Sequence, residues 1–470
     1  MIEAWKNHYQ TVPSTLKKLK NIGGVASVFN ANIDAVLHVS PEKFQQWHKA
    51  CGQPELNSIS LKEIRTPSDV LRGIFLCMKG GIAQEWLVTH VEAYRWIQDT
   101  LGYDRLQMGG QGGIIANVMS ICELQKVYVH TASQGPEQAQ LFLNKANLLT
   151  SSENGKMEPA HQTIRANELP LIHWILEFSK GDTYTIGGET VTCPKSNRFI
   201  ATYDPLNFDL HLVDSFSNAM KKKETALDVV LMSGFHMLSQ QLSNGASGCE
   251  RVQTVWNEVK QWKASHPQCM VHLEFASTQD LAIRRTIAEV IAPEVDSIGL
   301  NEQELIDILE VLGHGVLAAE CRQTMDSIHM FKGCLCLFQQ FKPYRLQLHM
   351  FGLYFTLTQE KNAAKLVSMR EGMALAATLA AAKAGTGSLE KADQLLWAQG
   401  KTIWGAAVKE LQSLGAWLQG EYGFQQFELS GIAQNSDFSI VACPTILVEK
   451  PITLVGMGDT ISSLSLVGSL

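Results

Sequence analysis

Short apolar runs that end in glycine, asparagine or an acid recur along this chain, and that rhythm constrains its fold more than any other feature. Strands are expected to begin near residues 24, 229, 270, 297, 441 and 452, each followed by a polar or Gly-rich turn, with helical stretches between several of them. Alternation of this kind builds an open α/β sheet. The polar strand ends then gather along one edge, where such sheets bind ligands.

The last of these strand ends is the most specific. Pro451-Ile452-Thr453-Leu454-Val455 has strand character and runs into Gly456-Met457-Gly458-Asp459, then Thr460-Ile461-Ser462-Ser463. A sharp turn that opens a helix presents free N–H groups to an anion, here with a carboxylate beside them. Phosphoryl transfer needs both: donors for the developing charge and a group to orient an attacking hydroxyl. Taken alone, the octapeptide is also consistent with an ordinary Gly-rich turn in which Asp459 is an N-cap.

Other strand ends carry side chains of matching chemistry. Asn30-Ala31-Asn32-Ile33-Asp34 leaves the first strand with two carboxamides and a carboxylate, which suits a polyhydroxylated substrate, or else forms an Asx turn. Gly109-Gly110-Gln111-Gly112-Gly113 opens an apolar helix. It is not a Walker A loop, because no Lys-Ser/Thr ends it, but its glycines let a ligand approach backbone. Glu274 ends the strand that begins near 270, and Asn301-Glu302-Gln303-Glu304 follows the next strand with the spacing of a capping box.

Between about 40 and 100 the texture changes to short amphipathic pieces broken by Pro54, Pro67 and a Lys79-Gly80-Gly81 turn, as in an inserted smaller subdomain. Alternating stretches at 171–178 and 183–186 add strands to it, and Glu85 is expected in an apolar setting. Residues 348–354 and the Ala-rich stretch 373–384 are expected to be core by periodicity.

Composition narrows the function class. A net charge of -7, with Lys221-Lys222-Lys223 as the densest basic run, argues against nucleic acid and membrane surfaces as partners. Ten scattered cysteines, the closest pair being Cys334 and Cys336, lack zinc or redox spacing and suit reduced thiols. With no apolar h-region at the start and no uninterrupted apolar run long enough to span a bilayer, a cytoplasmic location is expected.

In order along the chain, His272-Leu273-Glu274, Asn301-Glu302-Gln303-Glu304 and Gly456-Met457-Gly458-Asp459 resemble the HxE, NxxE and GxGD motifs of the ADP-dependent sugar kinases, a branch of the ribokinase-like superfamily. The resemblance covers nearly the whole chain. Ser233-Gly234-Phe235-His236-Met237 and Asn197-Arg198-Phe199-Ile200 look closest to the ADP-dependent glucokinases. It implies a large three-layer α/β/α nucleotide-binding domain from 1–37, 101–159 and 201–470, and a smaller α/β lid from 38–100 and 160–200 that closes over the sugar.

The resemblance also implies roles. Asp459 would take the proton of the 6-hydroxyl of glucose as it attacks the β-phosphorus of ADP, with the amides of Gly456, Met457 and Gly458 holding phosphoryl oxygens and Arg198 neutralising phosphate charge. Asn32, Asp34, Gly110, Gln111 and His173 would bind the sugar, and Glu85 would favour glucose over a phosphorylated sugar. Mg²⁺, or another divalent cation, would sit near Glu274, Glu304 and Asp459, with His272 and Asn301 completing the motifs. The alternative activity is ADP-dependent 6-phosphofructokinase, or both activities together. A monomer is expected by family analogy.

Overall fold

Strands Val25–Val28, Val229–Met232, Ser297–Leu300 and Arg345–Met350 are buried at every position, so both faces of their sheet are covered. The computed structural model describes residues 1–57, 63–186, 189–453 and 456–470. In it these strands belong to an eleven-stranded sheet. Leu148–Ser151, Val127–Val129, Val25–Val28, Val229–Met232, Met270–Glu274, Ser297–Leu300 and Arg345–Met350 run parallel in that spatial order. Antiparallel strands Leu353–Thr358, Ser439–Pro444 and Ile432–Gln434 continue one edge, and Met157–Pro159 closes the other.

The expected α/β class is therefore present, with one difference at its end. Pro451, Ile452 and Thr453 are irregular rather than strand, Leu454 and Val455 lie outside the described residues, and the last strand among the described residues is Ser439–Pro444. Helix Met457–Val467 starts directly from the 456 turn and packs along the long helix Ala363–Thr386, whose alanines allow the close approach.

A second sheet of six strands has the order Glu63–Ile64, Gln84–Val88, Asn197–Tyr203, Ile172–Phe178, Asn32–His38, Arg105–Gly109. Ile172–Phe178 alternates: Ile172, Trp174, Leu176 and Phe178 enter a separate apolar core, which leaves His173, Ile175 and Glu177 on the opposite face. The expected strand at 183–186 exists, but among the described residues it pairs only with Glu189–Thr192 in a two-stranded ribbon.

The chain passes from the large sheet to the small one through Phe29, Asn30 and Ala31, so the small sheet takes in residues 32–38 and 105–109. The boundary expected at 37 falls inside the first of those strands, and the one expected at 101 falls before the second, which the small sheet still takes in. At the other segment, Ala160 belongs to the large core and strand Asn197–Tyr203 carries the small sheet past 200. The short crossing matters for the site: it sets Asn32 and Asp34 at the start of a small-sheet strand, facing the C-terminal ends of the parallel strands.

Candidate active site

Gly456 is the N-cap of helix Met457–Val467, with φ +61°, a left-handed conformation that glycine adopts without steric cost. Asp459 is thereby the third helical residue and not the N-cap that the octapeptide alone allowed. Its carboxylate accepts a hydrogen bond from Gln111 Nε2, at the first turn of helix Gln111–Ile121, while Gln111 Oε1 accepts from the Gly234 N–H at 2.8 Å. Burial raises the Asp459 pKa to about 6, against the opposing charge of Lys383 and the Gln111 bond.

Lys383 is the main residue that sequence reasoning missed here. It is only 7% exposed, and its Nζ donates to the Gly456 carbonyl at 3.3 Å, an oxygen that also accepts from Thr460 Oγ1 at 2.7 Å. Burial pushes the ammonium's pKa down to about 8, with Asp459 acting in the opposite direction. The available signal was one charged residue in the otherwise uncharged stretch 373–384.

Behind the turn lies a buried acid cluster. Ligand atoms of Glu274, Glu304 and His349 fall within 4.8 Å of one another. Asp459, expected as the third metal residue, is outside that set; His349, expected as plain core, is inside it. Glu304 does form the capping box foreseen for it, with Asn301 N donating to Glu304 Oε2 at 2.9 Å and Glu304 N to Asn301 Oδ1 at 3.0 Å. It is buried nonetheless, and that burial raises its pKa to about 8. Glu274 is raised well above the carboxylate range by burial, then by the charges of Asp459 and Glu304.

His272 stays neutral, since burial and the Arg345 charge lower its pKa; it bridges Ser297 Oγ (2.8 Å), Glu274 Oε2 (3.2 Å) and Ser462 Oγ (3.1 Å). Gly299 makes room for this arrangement: a Cβ there would stand 1.9 Å from Ser462 Oγ and 2.1 Å from Glu274 Oε2. Two buried carboxylates held this close cost several kcal/mol each as anions unless a cation joins them. Their oxygens fit Mg²⁺, whereas the His349 imidazole suits it less and instead stands 3.5 Å from Glu274 Oε1 as a neighbour.

In front of Asp459 is a cleft of about 770 Å³ between the two sheets, which brings together Asn32, Asp34, Glu85, Gly110, Gln111, His173, Arg198, Gly456 and Asp459 from six separate stretches of sequence. Asn32 Nδ2 donates to Asp34 Oδ1 at 3.0 Å, and Asn32 Oδ1 has no partner among the described residues. Burial raises the Asp34 pKa, with His173 and the Asn32 bond opposing. For His173, burial works against the imidazolium, yet the hydrogen bond to Asp204 Oδ2 at 3.0 Å and the charges of Asp204, Asp34 and Glu85 outweigh it and raise the pKa.

Glu85 is exposed in the cleft, not in an apolar setting, and accepts from Thr202 Oγ1 at 2.6 Å. The strand alternation that buries Trp86 sends Glu85 the other way. Arg198 is exposed on the same face, opposite Glu177 across the strand pair. Arg105 and His236 line the cleft as well, and neither was foreseen as a site residue. Met457 and Gly458 follow the N-cap as the first two helical residues; His349 Nε2 would lie 2.9 Å from a Cβ on Gly458.

The ADP-specific Phosphofructokinase/Glucokinase conserved region matches residues 23–468. The chain belongs to that family. It is 26% identical over 484 residues to an ADP-specific phosphofructokinase of Methanosarcina acetivorans, covering 100% of this chain and 98% of the relative. It is 29% identical over 474 residues to an ADP-dependent glucose/glucosamine kinase of Pyrococcus furiosus, covering 99% and 98%. Among solved structures, the last common ancestor of ADP-dependent phosphofructokinases from Methanosarcinales superposes with a TM-score of 0.89 at 26% identity, covering 100% of this chain and 98% of that one. An ADP-dependent kinase in complex with fructose-6-phosphate and ADPβS gives 0.81 at 26%, with the same coverage.

This chain is thus an ADP-dependent sugar kinase, a phosphotransferase that uses ADP as co-substrate. Among the described residues, no helix is long and apolar enough to cross a membrane.

Proposed function

We propose that this family member is a glucokinase, which transfers the β-phosphoryl group of ADP to the 6-hydroxyl of D-glucose. The observation that carries this reading is Glu85: an exposed carboxylate, held by Thr202, in the same cleft as Asn32, Asp34 and His173. A carboxylate there accepts hydrogen bonds from an unphosphorylated sugar and repels the dianion of a phosphorylated one.

In the reaction, the glucose O6 attacks the β-phosphorus and the bond from that phosphorus to the oxygen bridging it to the α-phosphorus breaks, so AMP leaves with the bridging oxygen. The O6 proton passes to Asp459, which Gln111 orients. The N–H groups of the 456–459 turn and the helix dipole stabilise charge on the transferred group, at about 3–4 kcal/mol per well-placed donor. Arg198 adds positive charge from the small sheet, which acts as a lid over the sugar. Glu274 and Glu304 would hold a divalent cation, Mg²⁺ among others, which supplies charge against the phosphates when bound.

The second reading, 6-phosphofructokinase, is favoured by Arg105 and Arg198, two guanidinium groups that line one cleft. Initial rates with ADP and Mg²⁺, glucose against fructose 6-phosphate, decide between them. A kcat/KM for glucose at least about tenfold higher supports glucokinase, and the reverse order overturns it. Replacing ADP by ATP in the same assay tests donor choice, with ADP expected to win. The ten cysteines are all unpaired, in keeping with a cytoplasmic enzyme, and light scattering is expected to show a monomer.

A further inference from the structure

Lys383 sits on the last buried turn of an alanine-rich helix, where a lysine costs burial free energy that apolar packing does not return. Its position has two further features. Among the described residues its ammonium makes one hydrogen bond, to the Gly456 carbonyl at 3.3 Å, so further N–H donors remain unused. The side chain also lines a small cavity of about 140 Å³ that shares Gln107, Ile114, Gly387 and Thr453 with the main cleft.

Charge gives the ammonium a purpose. Asp459, Glu274 and Glu304 interact with one another electrostatically at this end of the sheet, and a diphosphate approaching the turn adds more negative charge. Against Asp459, Lys383 is the opposing cation, while Arg345 faces Glu274 from deeper in the sheet. A donor whose β-phosphate meets the 456–459 amides would come within reach of Nζ, because Nζ would lie 3.2 Å from a Cβ on Gly456.

We infer that Lys383 is a catalytic residue, whose ammonium is anchored by the Gly456 carbonyl and donates to the phosphoryl group in transfer. This rests on the 456–459 turn being the phosphoryl site. AMP lacks the transferred group, so Lys383 distinguishes ADP from AMP while leaving sugar binding alone.

The test uses the full chain with Lys383→Met, Lys383→Gln and Lys383→Arg, with Asp459→Ala as the control. Calorimetry gives the affinities for ADP and AMP, and AMP release with glucose gives kcat. Lys383→Met and Lys383→Gln are expected to lose about a hundredfold in kcat and about tenfold in ADP affinity, with AMP affinity within about twofold of the parent. Lys383→Arg is expected to recover at least about tenfold of the kcat.

Lys383→Gln keeps a donor for Gly456 without charge, so full activity in that variant overturns the inference, as does equal loss of ADP and AMP affinity. If Lys383→Met does not fold, the Gln and Arg pair carries the comparison. An active Asp459→Ala would instead overturn the reading of the turn itself.

Discussion

The Gln111 carboxamide donates to the Asp459 carboxylate and, through its oxygen, accepts from the Gly234 backbone at 2.8 Å. One side chain thereby ties the turn after strand Val229–Met232 to the catalytic turn. The bond favours the ionised acid, and burial opposes it, leaving the Asp459 pKa at about 6. A base works only when deprotonated, so kcat/KM should rise with pH through that value. Gln111→Leu removes the bond and should move the acid limb upward, with a larger loss at about pH 6 than at about pH 8; a pH–rate profile of both enzymes checks this.

Glu85→Ala should raise the KM for glucose about tenfold or more while ADP binding changes little, because the carboxylate faces the sugar side of the cleft. Thr202→Val should give a smaller effect in the same direction, since Thr202 only holds Glu85 in place. Steady-state kinetics with each substrate varied separately resolves the two.

Gly299→Ala should disturb the acid cluster. Its Cβ would collide with Ser462 Oγ and Glu274 Oε2. A loss of about 1–3 kcal/mol in stability is expected from the overpacking. Denaturant unfolding measures that term, and calorimetric titration with Mg²⁺ should show weaker binding than in the parent.

The same cluster predicts how pH and metal interact. Glu304 has a folded pKa of about 8 against 4.5 for an ordinary glutamate, so the unfolded chain gives up this proton first as pH rises. Its contribution to stability is fully present below about pH 4.5 and is lost as pH rises toward about 8. A bound divalent cation removes the need for that proton. Added Mg²⁺ should therefore raise Tm more at about pH 8 than at about pH 5, as calorimetric scans would show.

Much of this site was legible because its pieces lie where glycine, asparagine and acids interrupt apolar runs. Asn32, Gln111, Asn301 and Asp459 all announce themselves that way. Glu85 was found but misplaced: alternation in Gln84–Val88 decides its face, and sequence alone did not show which face was covered by helices. His349 and Lys383 lie inside runs whose periodicity spells core, and their polar partners come from segments more than seventy residues away. Periodicity identifies a buried position but not what waits there.

The crossing between sheets was hidden for a related reason. Val25–Val28 and Asn32–His38 are apolar enough to read as one strand and its turn, yet they pair in different sheets. Only the partners at Val229–Met232 and Ile172–Phe178 separate them. Long-range pairing, rather than local propensity, set that boundary.

Asp459→Asn most directly tests the claim that this carboxylate takes the proton of the attacking hydroxyl. The substitution keeps the size of the side chain and an oxygen able to accept from Gln111, while removing the base. The measurement is AMP formation from ADP in the presence of glucose and Mg²⁺, with glucose binding followed separately by tryptophan fluorescence. A fall in kcat of about a thousandfold or more with glucose binding intact is the predicted result; AMP formation at the parent's rate would contradict it.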